Sequence, residues 1–199
     1  MGEGILLGPL VLFAAAMCLT PGPSVVLVTA SAANFGFRGA LPLIFGITLG
    51  FGVMIMAVGL GLAGLFHAEP RLHMALKYAG AVYLLCLAWR IARVDGAGRG
   101  SKQARPIGFA GAVLFTWMNP KGWVTAVGAL AAYTTLGGEV LQQTAVIAGV
   151  LAAACFASVV IWAGFGAAIG RLLGTPRARR IFNWSMAGLL AISLVPVVR

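Results

Sequence analysis

Long apolar stretches recur along the whole chain, and short segments containing polar residues, glycine or proline separate them. A helix that crosses a membrane needs about 20 predominantly apolar residues. Six stretches come close to this length or exceed it, so the pattern predicts about six transmembrane helices in one domain, residues 1–199. The stretches lie at roughly 5–34, 39–66, 74–94, 106–136, 141–170 and 181–198.

Composition restricts the fold class further. Hydrophobic residues make up 61% of the chain and charged residues only 9%, whereas soluble domains carry about 25% charged residues. This excludes a water-soluble fold and indicates an all-α membrane protein. The three cysteines lie in separate apolar stretches without metal-ligand spacing, so neither a metal nor a cofactor is predicted; they are Cys18, Cys86 and Cys155.

One strongly polar linker, at about 95–105, divides the apolar stretches three and three. The halves are a first repeat at about 1–94 and a second at about 106–199. Because three is an odd number, a second half that copies the first must be inverted in the membrane. The sequence therefore predicts two inverted three-helix repeats, as in many secondary transporters.

The first and fourth stretches are both interrupted, at Thr20-Pro21-Gly22-Pro23 and at Asn119-Pro120-Lys121. Thr or Asn followed by proline is typical of the start of a helix, so each break is predicted to restart a half-helix near mid-membrane. A restarted helix presents free backbone N–H groups and the positive end of its dipole. Paired breaks of this kind indicate a transporter's binding site.

Lys121 adds a full positive charge at the second break. A lysine at a helix centre costs roughly 2.5–3.5 kcal/mol on insertion, which favours a functional role over one that snorkels to an interface or ends a shorter helix. The breaks are predicted to bind an anionic group such as a carboxylate. The candidate binding residues are Lys121, Asn119, Pro120, Thr20, Pro21, Gly22, Pro23 and Ser24.

Further polar side chains within the stretches are candidates to line a pathway, although Ser and Thr in membrane helices usually bond their own backbone. No acidic residue lies deep in a stretch. Proton coupling would therefore use Lys121, water or an edge carboxylate such as Glu139. The candidate lining residues are Ser24, Ser31, Asn34, Thr116, Thr125 and Asn183.

Basic residues are distributed unequally between the two sides of the predicted bundle. By the positive-inside rule the richer side faces the cytoplasm, so both termini are predicted to be periplasmic. The net charge of +10 thus indicates topology and contact with anionic lipids, and not nucleic-acid binding, because the chain offers no soluble basic groove. The cytoplasmic set is Arg38, Arg90, Arg93, Arg99, Lys102, Arg105, Arg171, Arg177, Arg179 and Arg180.

Glycines spaced four residues apart put small side chains on one helix face and allow neighbouring helices to approach closely. Three such pairs are predicted to mark helix contacts. They are Gly46 with Gly50, Gly166 with Gly170, and Gly170 with Gly174.

Four motifs follow one another along the chain: Pro21-Gly22-Pro23, Gly36-Phe37-Arg38-Gly39, Ala79-Gly80-Ala81-Val82-Tyr83-Leu84 and Asn119-Pro120-Lys121-Gly122. In this order and spacing they resemble the lysine exporter and homoserine/threonine exporter (LysE/RhtB) family. The resemblance implies a bacterial inner-membrane exporter of amino acids or close derivatives, driven by the proton gradient. It also implies that both breaks occupy the family's signature positions.

The leading hypothesis is export of a small zwitterion or carboxylate by alternating access, and the sequence leaves a homodimer open. A passive pore of paired half-helices and a metal-ion exporter are the alternatives. The pore is disfavoured because a lysine follows the one Asn-Pro pair, and the metal exporter because the stretches lack acidic, His or Cys clusters. No catalytic motif indicates an enzyme.

Overall fold

The computed structural model describes residues 7–62, 70–94, 105–135 and 139–194, and its regular structure in these ranges is entirely helical. The all-α prediction is confirmed. Most of the polar linker and both terminal segments, on which the predicted orientation of the termini depends, lie outside the described residues. The helices are α1 (Leu7–Leu19), α2 (Pro23–Ala57, continued by a π-helical turn, Val58–Leu62), α3 (Pro70–Ala92), α4 (Phe109–Met118), α5 (Pro120–Tyr133), α6 (Val140–Leu172) and α7 (Pro176–Ile192).

Two helical stretches in the described ranges have the length and apolar composition of membrane spans, Val140–Leu172 and Pro23–Leu62, and the second of them is divided by a turn at Gly36. Large apolar side chains also cover much of the molecular surface; Leu12 is 72% exposed and Ile161 is 60% exposed. Soluble monomers rarely expose contiguous apolar surface on this scale. The exterior therefore suits contact with lipid.

The chain turns sharply at Gly36 inside α2. Its backbone angles, φ 76° and ψ 167°, lie in a region that essentially only glycine adopts. The contacts with α6 show that the chain reverses here. Before the turn, later residues of α2 meet later residues of α6, whereas after the turn later residues of α2 meet earlier residues of α6. These contacts pair Thr29 with Gly166, Ala33 with Gly170, Gly52 with Ala152, and Gly59 with Thr144.

The first part of α2 lies at the centre of the helix bundle, since residues 25–33 are buried on all sides. Gly166 and Gly170 of α6 lie directly on the backbone carbonyls of Thr29 and Ala33, where a Cβ would collide with them. This confirms the close approach predicted for that glycine pair. The prediction for Gly174 is wrong, because among the described residues no heavy atom lies within 4 Å of the position that a Cβ would take there.

Gly46 and Gly50 likewise admit α4 against the second part of α2. A Cβ on Gly46 would lie 2.5 Å from Ala112 Cβ, and one on Gly50 would lie 3.2 Å from Val113 Cα. Because these contacts follow the same order along both helices, α4 runs parallel to this part of α2. The predicted role of this second glycine pair is confirmed.

Helix α5 runs back along α1. The Tyr133 hydroxyl at its end donates a hydrogen bond of 3.1 Å to the Pro9 carbonyl, and the Tyr133 ring lies 5.7 Å from that of Phe13. At the other end of the same pair, Lys121 contacts Thr20. The restarts after the two breaks therefore begin side by side and point in opposite directions.

Candidate substrate-binding site

The first break separates α1 from α2 at residues 20–22. The prediction that Thr20 caps a helix starting at Pro21 is wrong. The helix restarts at Pro23 with Gly22 at the N-cap, and the Thr20 hydroxyl instead donates to the Ala16 carbonyl at 2.5 Å. Two closely spaced prolines offered two possible N1 positions, and the end of α1 uses the threonine to satisfy one of its own last carbonyls.

The second break has the predicted form. Asn119 is the N-cap of α5, and its Oδ1 accepts a hydrogen bond from the Lys121 backbone N–H at 3.2 Å. Its Nδ2 donates to the Ser24 hydroxyl at 3.1 Å. Because Asn119 is only 4% exposed, these two bonds satisfy both ends of a buried amide. They also connect the second break to the first turn of α2.

The Lys121 ammonium bridges the two breaks directly. Its Nζ donates a hydrogen bond of 2.7 Å to the Thr20 carbonyl, across 101 positions of sequence. Gly22 makes room for the side chain, since a Cβ there would lie 3.0 Å from Lys121 Cδ. The lysine therefore contacts the other broken segment and does not reach away from it to an interface.

The charge of Lys121 is not neutralised within the described part of the chain. Glu139 is the one acidic residue described, and it lies at the start of α6 as an exposed N-cap. The Thr20 carbonyl occupies one of the three donors of the ammonium. The remaining donors and the positive charge are available to an anionic ligand.

A cavity of about 60 Å³ lies where the two breaks meet. Five of the eight predicted binding residues line it, namely Thr20, Gly22, Ser24, Asn119 and Lys121. The three prolines Pro21, Pro23 and Pro120 do not line it. Their contribution is to end one helix and begin the next, which places the lining residues.

Other helices complete the wall of this cavity. Phe51 and Ile47 come from the second part of α2, while Ser158, Cys155 and Val159 come from α6. The volume is enough for about two water molecules, and the wall is incomplete on one side, because Thr20 is exposed and Lys121 is only half-buried. A ligand of amino-acid size requires the surrounding helices to move apart.

Sequence reasoning missed three polar or thiol residues of this wall. The sequence predicts neither a metal nor a cofactor at Cys18 and Cys155, and Ser158 is one small residue among several in an apolar stretch. The structure places all three at the cavity, and the Ser158 hydroxyl donates to the Cys18 carbonyl at 2.7 Å. No local signal could have found them, because the two helices meet only through tertiary packing.

The additional pathway candidates divide between two places. Thr116 and Thr125 line the central cavity, although each hydroxyl bonds a carbonyl of its own segment as expected. Ser31 and Asn34 instead line a second and larger cavity. Asn183 is fully buried and exchanges hydrogen bonds with Asn34, at 2.7 and 3.2 Å.

The groups that face the central cavity suit a carboxylate ligand. An ammonium, the N-terminus of α5 and the hydroxyl of Ser24 all face one small volume, and helix N-termini and lysine favour oxyanions. Among the described residues, no group of three or more His, Cys, Asp or Glu side chains could hold a metal ion.

Known proteins similar to this chain are efflux proteins. A cysteine/O-acetylserine efflux protein of Klebsiella pneumoniae is 28% identical over 180 residues, covering 90% of each chain. The protein of that name in Escherichia coli K12 is 32% identical over 155 residues, covering 77% of this chain and 78% of its own. No solved structure matches the chain.

A family model describes nearly the entire chain. The model for the LysE type translocator matches residues 15–196, a range that includes both breaks, Lys121 and all seven described helices in whole or in part. The resemblance carried by the four sequence motifs is therefore confirmed. The chain belongs to the LysE type translocator family, and it is a membrane transporter and not an enzyme.

Proposed function

We propose that this protein exports amino acids or related small zwitterions across the bacterial inner membrane by alternating access. The observation that carries the proposal is the hydrogen bond of 2.7 Å from Lys121 Nζ to the Thr20 carbonyl. It brings the half-buried lysine and both helix restarts to one cavity. The substrate carboxylate would displace the Thr20 carbonyl or share the ammonium with it.

The moving parts in this proposal are two inverted three-helix repeats, each containing one break. Its support is that the two restarts begin side by side and run in opposite directions, as the contacts of α5 with α1 indicate. Rocking one repeat against the other would open the central cavity to one side of the membrane at a time. The proton gradient would supply the energy.

The proposed substrate class is a small amino acid whose side chain is uncharged. Related proteins are named for efflux of cysteine and O-acetylserine. The cavity here offers hydroxyls and apolar surface, and among the described residues it contains no carboxylate that could pair with a cationic side chain. Ser24, Thr125 and Ser158 would face the polar part of such a side chain.

The direct test is uptake of O-acetyl-L-serine into proteoliposomes. With an acidic lumen we expect accumulation above the external concentration, because outward proton flow would drive substrate inward in inside-out molecules. A protonophore should abolish the accumulation. Uptake that only equilibrates the two sides would instead indicate a passive pore, and the absence of uptake for every amino acid in a panel would refute amino-acid export.

Gly22→Ala tests the fit between the first break and the lysine. The new Cβ would lie 3.0 Å from Lys121 Cδ and 3.3 Å from Nζ, so the side chain must shift while the backbone, at φ −160°, accepts alanine. We expect transport to fall roughly fivefold, equivalent to about 1 kcal/mol for a weakened hydrogen bond, at a normal protein level.

The matched control for this variant is Gly8→Ala, because no heavy atom lies within 4 Å of a Cβ at Gly8. Its transport should equal that of the unchanged protein. Equal transport by Gly22→Ala and Gly8→Ala would show that the close fit at Gly22 has no part in transport.

A further inference from the structure

A second cavity, of about 810 Å³, opens beside the first part of α2. It lies between α2, α3, α7 and the segment that precedes α4. Four arginines from three separate parts of the chain line it, and none of its described lining residues is acidic. We call it the arginine vestibule, and its arginines are Arg90, Arg93, Arg105 and Arg180.

These arginines are only partly occupied by the protein itself. Arg93 lies over the Trp89 ring at 4.2 Å, and Arg90 Nη2 approaches the Arg105 carbonyl at 3.5 Å. Arg180 makes no hydrogen bond or ion pair with the described residues. The guanidinium groups therefore keep donors available to a ligand in the vestibule.

The neighbouring residue Arg179, in the same helix, has a structural role that contrasts with that of Arg180. Its guanidinium donates to the carbonyls of Ala33, Gly170 and Leu173, at 3.4, 3.4 and 3.3 Å. It thus closes the ends of two helices, where carbonyls are otherwise unsatisfied. Arg180 is adjacent in sequence and faces the vestibule instead.

Ser31 provides independent evidence that the vestibule accommodates a ligand. Its side chain belongs to the vestibule wall and is only 7% exposed, and its Oγ is buried without a hydrogen-bond partner among the described residues. Most buried hydroxyls in proteins are bonded, and an exception calls for an explanation. A polar ligand in the vestibule would satisfy the hydroxyl once the side chain rotated toward it.

The vestibule and the central cavity lie on the same face of α2. Ser24 lines the central cavity and Ser31 lines the vestibule, and seven helical residues return to the same face about 10 Å further along. Leu27 lies between them and is 1% exposed. The buried Leu27 side chain therefore separates the two cavities in this conformation.

We propose that the arginine vestibule is a first binding site, which holds the substrate by its carboxylate before Leu27 gives way and Lys121 receives it. The inference rests on the proposed export function and names where a substrate is first bound. Arginine binds carboxylate through two parallel hydrogen bonds. The vestibule lies at the arginine-rich end, which the positive-inside rule assigns to the cytoplasm.

The test measures binding of O-acetyl-L-serine to the full chain in nanodiscs of phosphatidylcholine by equilibrium dialysis. All variants carry Lys121→Ala, which disables the central cavity and leaves the vestibule as the site observed. We expect binding to persist in this background and to weaken roughly tenfold with Arg180→Ala, because one charge-assisted interaction is lost. The control is Arg177→Ala, which removes the same charge from the same turn of α7 outside the vestibule.

Ser31→Ala distinguishes ligand binding from a structural role. Because the hydroxyl has no partner in the protein, its removal should leave the thermal unfolding temperature unchanged or raise it, while binding weakens. A lower unfolding temperature together with unchanged binding would overturn the assignment of Ser31 to the site.

Two further results would overturn the proposal as a whole. One is binding that is unaffected by Arg180→Ala or that is absent from the Lys121→Ala background. The other is competition at the Arg180-dependent site by cardiolipin, added to the nanodiscs in a parallel series, which would assign the vestibule to a lipid headgroup. Arg180-dependent binding without any transport by the unchanged protein would support the vestibule and refute the export function.

Discussion

Replacing Lys121 with methionine is expected to lower transport by about 10- to 100-fold. Methionine keeps an unbranched side chain that is one heavy atom shorter, and it removes the ammonium that bonds the Thr20 carbonyl at 2.7 Å. A hydrogen bond to a charged group is worth about 1.5–3 kcal/mol, and each 1.4 kcal/mol corresponds to a tenfold change in binding. The loss should appear in proteoliposome uptake of O-acetyl-L-serine.

The folded protein should tolerate this change, because the variant no longer places a charge among apolar helices. Its level in the membrane and its elution as a single species should match those of the unchanged protein. A suitable control is Val124→Met, which adds the same side chain one turn along α5 at a position that is 68% exposed. Normal uptake by the Lys121→Met variant would show that the Lys121 ammonium is not needed for transport.

Adding a methyl group at Gly166 or Gly170 is expected to destabilise the protein by about 1–3 kcal/mol for each substitution, the usual cost of overpacking. A Cβ at either position would collide with the backbone carbonyl of Thr29 or Ala33. No flexible side chain can move aside there, so the two helices themselves must separate. The double variant should show the largest loss of folded protein.

The matched control for these substitutions lies on the same helix. Gly164→Ala meets no heavy atom within 4 Å, and alanine favours a helix over glycine by up to about 1 kcal/mol. The comparison is made by heating detergent-solubilised protein and measuring the fraction that still elutes as a single species. If the Gly166→Ala variant resisted heating as well as the Gly164→Ala variant, the close packing of α2 against α6 at Gly166 would be refuted.

The apolar stretches and their interruptions were predictable because they depend on residues within one or two helical turns. Proline removes a backbone donor, and Asn119 accepts from the N–H two residues later. Such effects act locally, so the sequence indicated both breaks, the all-helical class and the position of Lys121. The same reasoning misplaced the first restart, since only the packed end of α1 determines that Thr20 bonds back to Ala16.

The glycine pairs show where local pattern reaches its limit. The spacing of Gly166, Gly170 and Gly174 is uniform, yet only the first two lie against α2. Helix α6 ends at Leu172, and in the described part of the chain no heavy atom lies within 4 Å of a Cβ at Gly174. Periodicity indicates which face is small, whereas the partner that the face meets depends on the course of another helix.

Local sequence thus established that this is a helical membrane protein with two breaks and a lysine at the second of them. Packing between distant segments decided what surrounds that cation. Lys121 meets Thr20, Asn119 meets Ser24, and Ser158 meets Cys18 across separations of 101, 95 and 140 positions. Helix propensities and caps act over about four residues, so contacts at these separations arise only when whole helices pack together. The residues that line both cavities are determined by that packing.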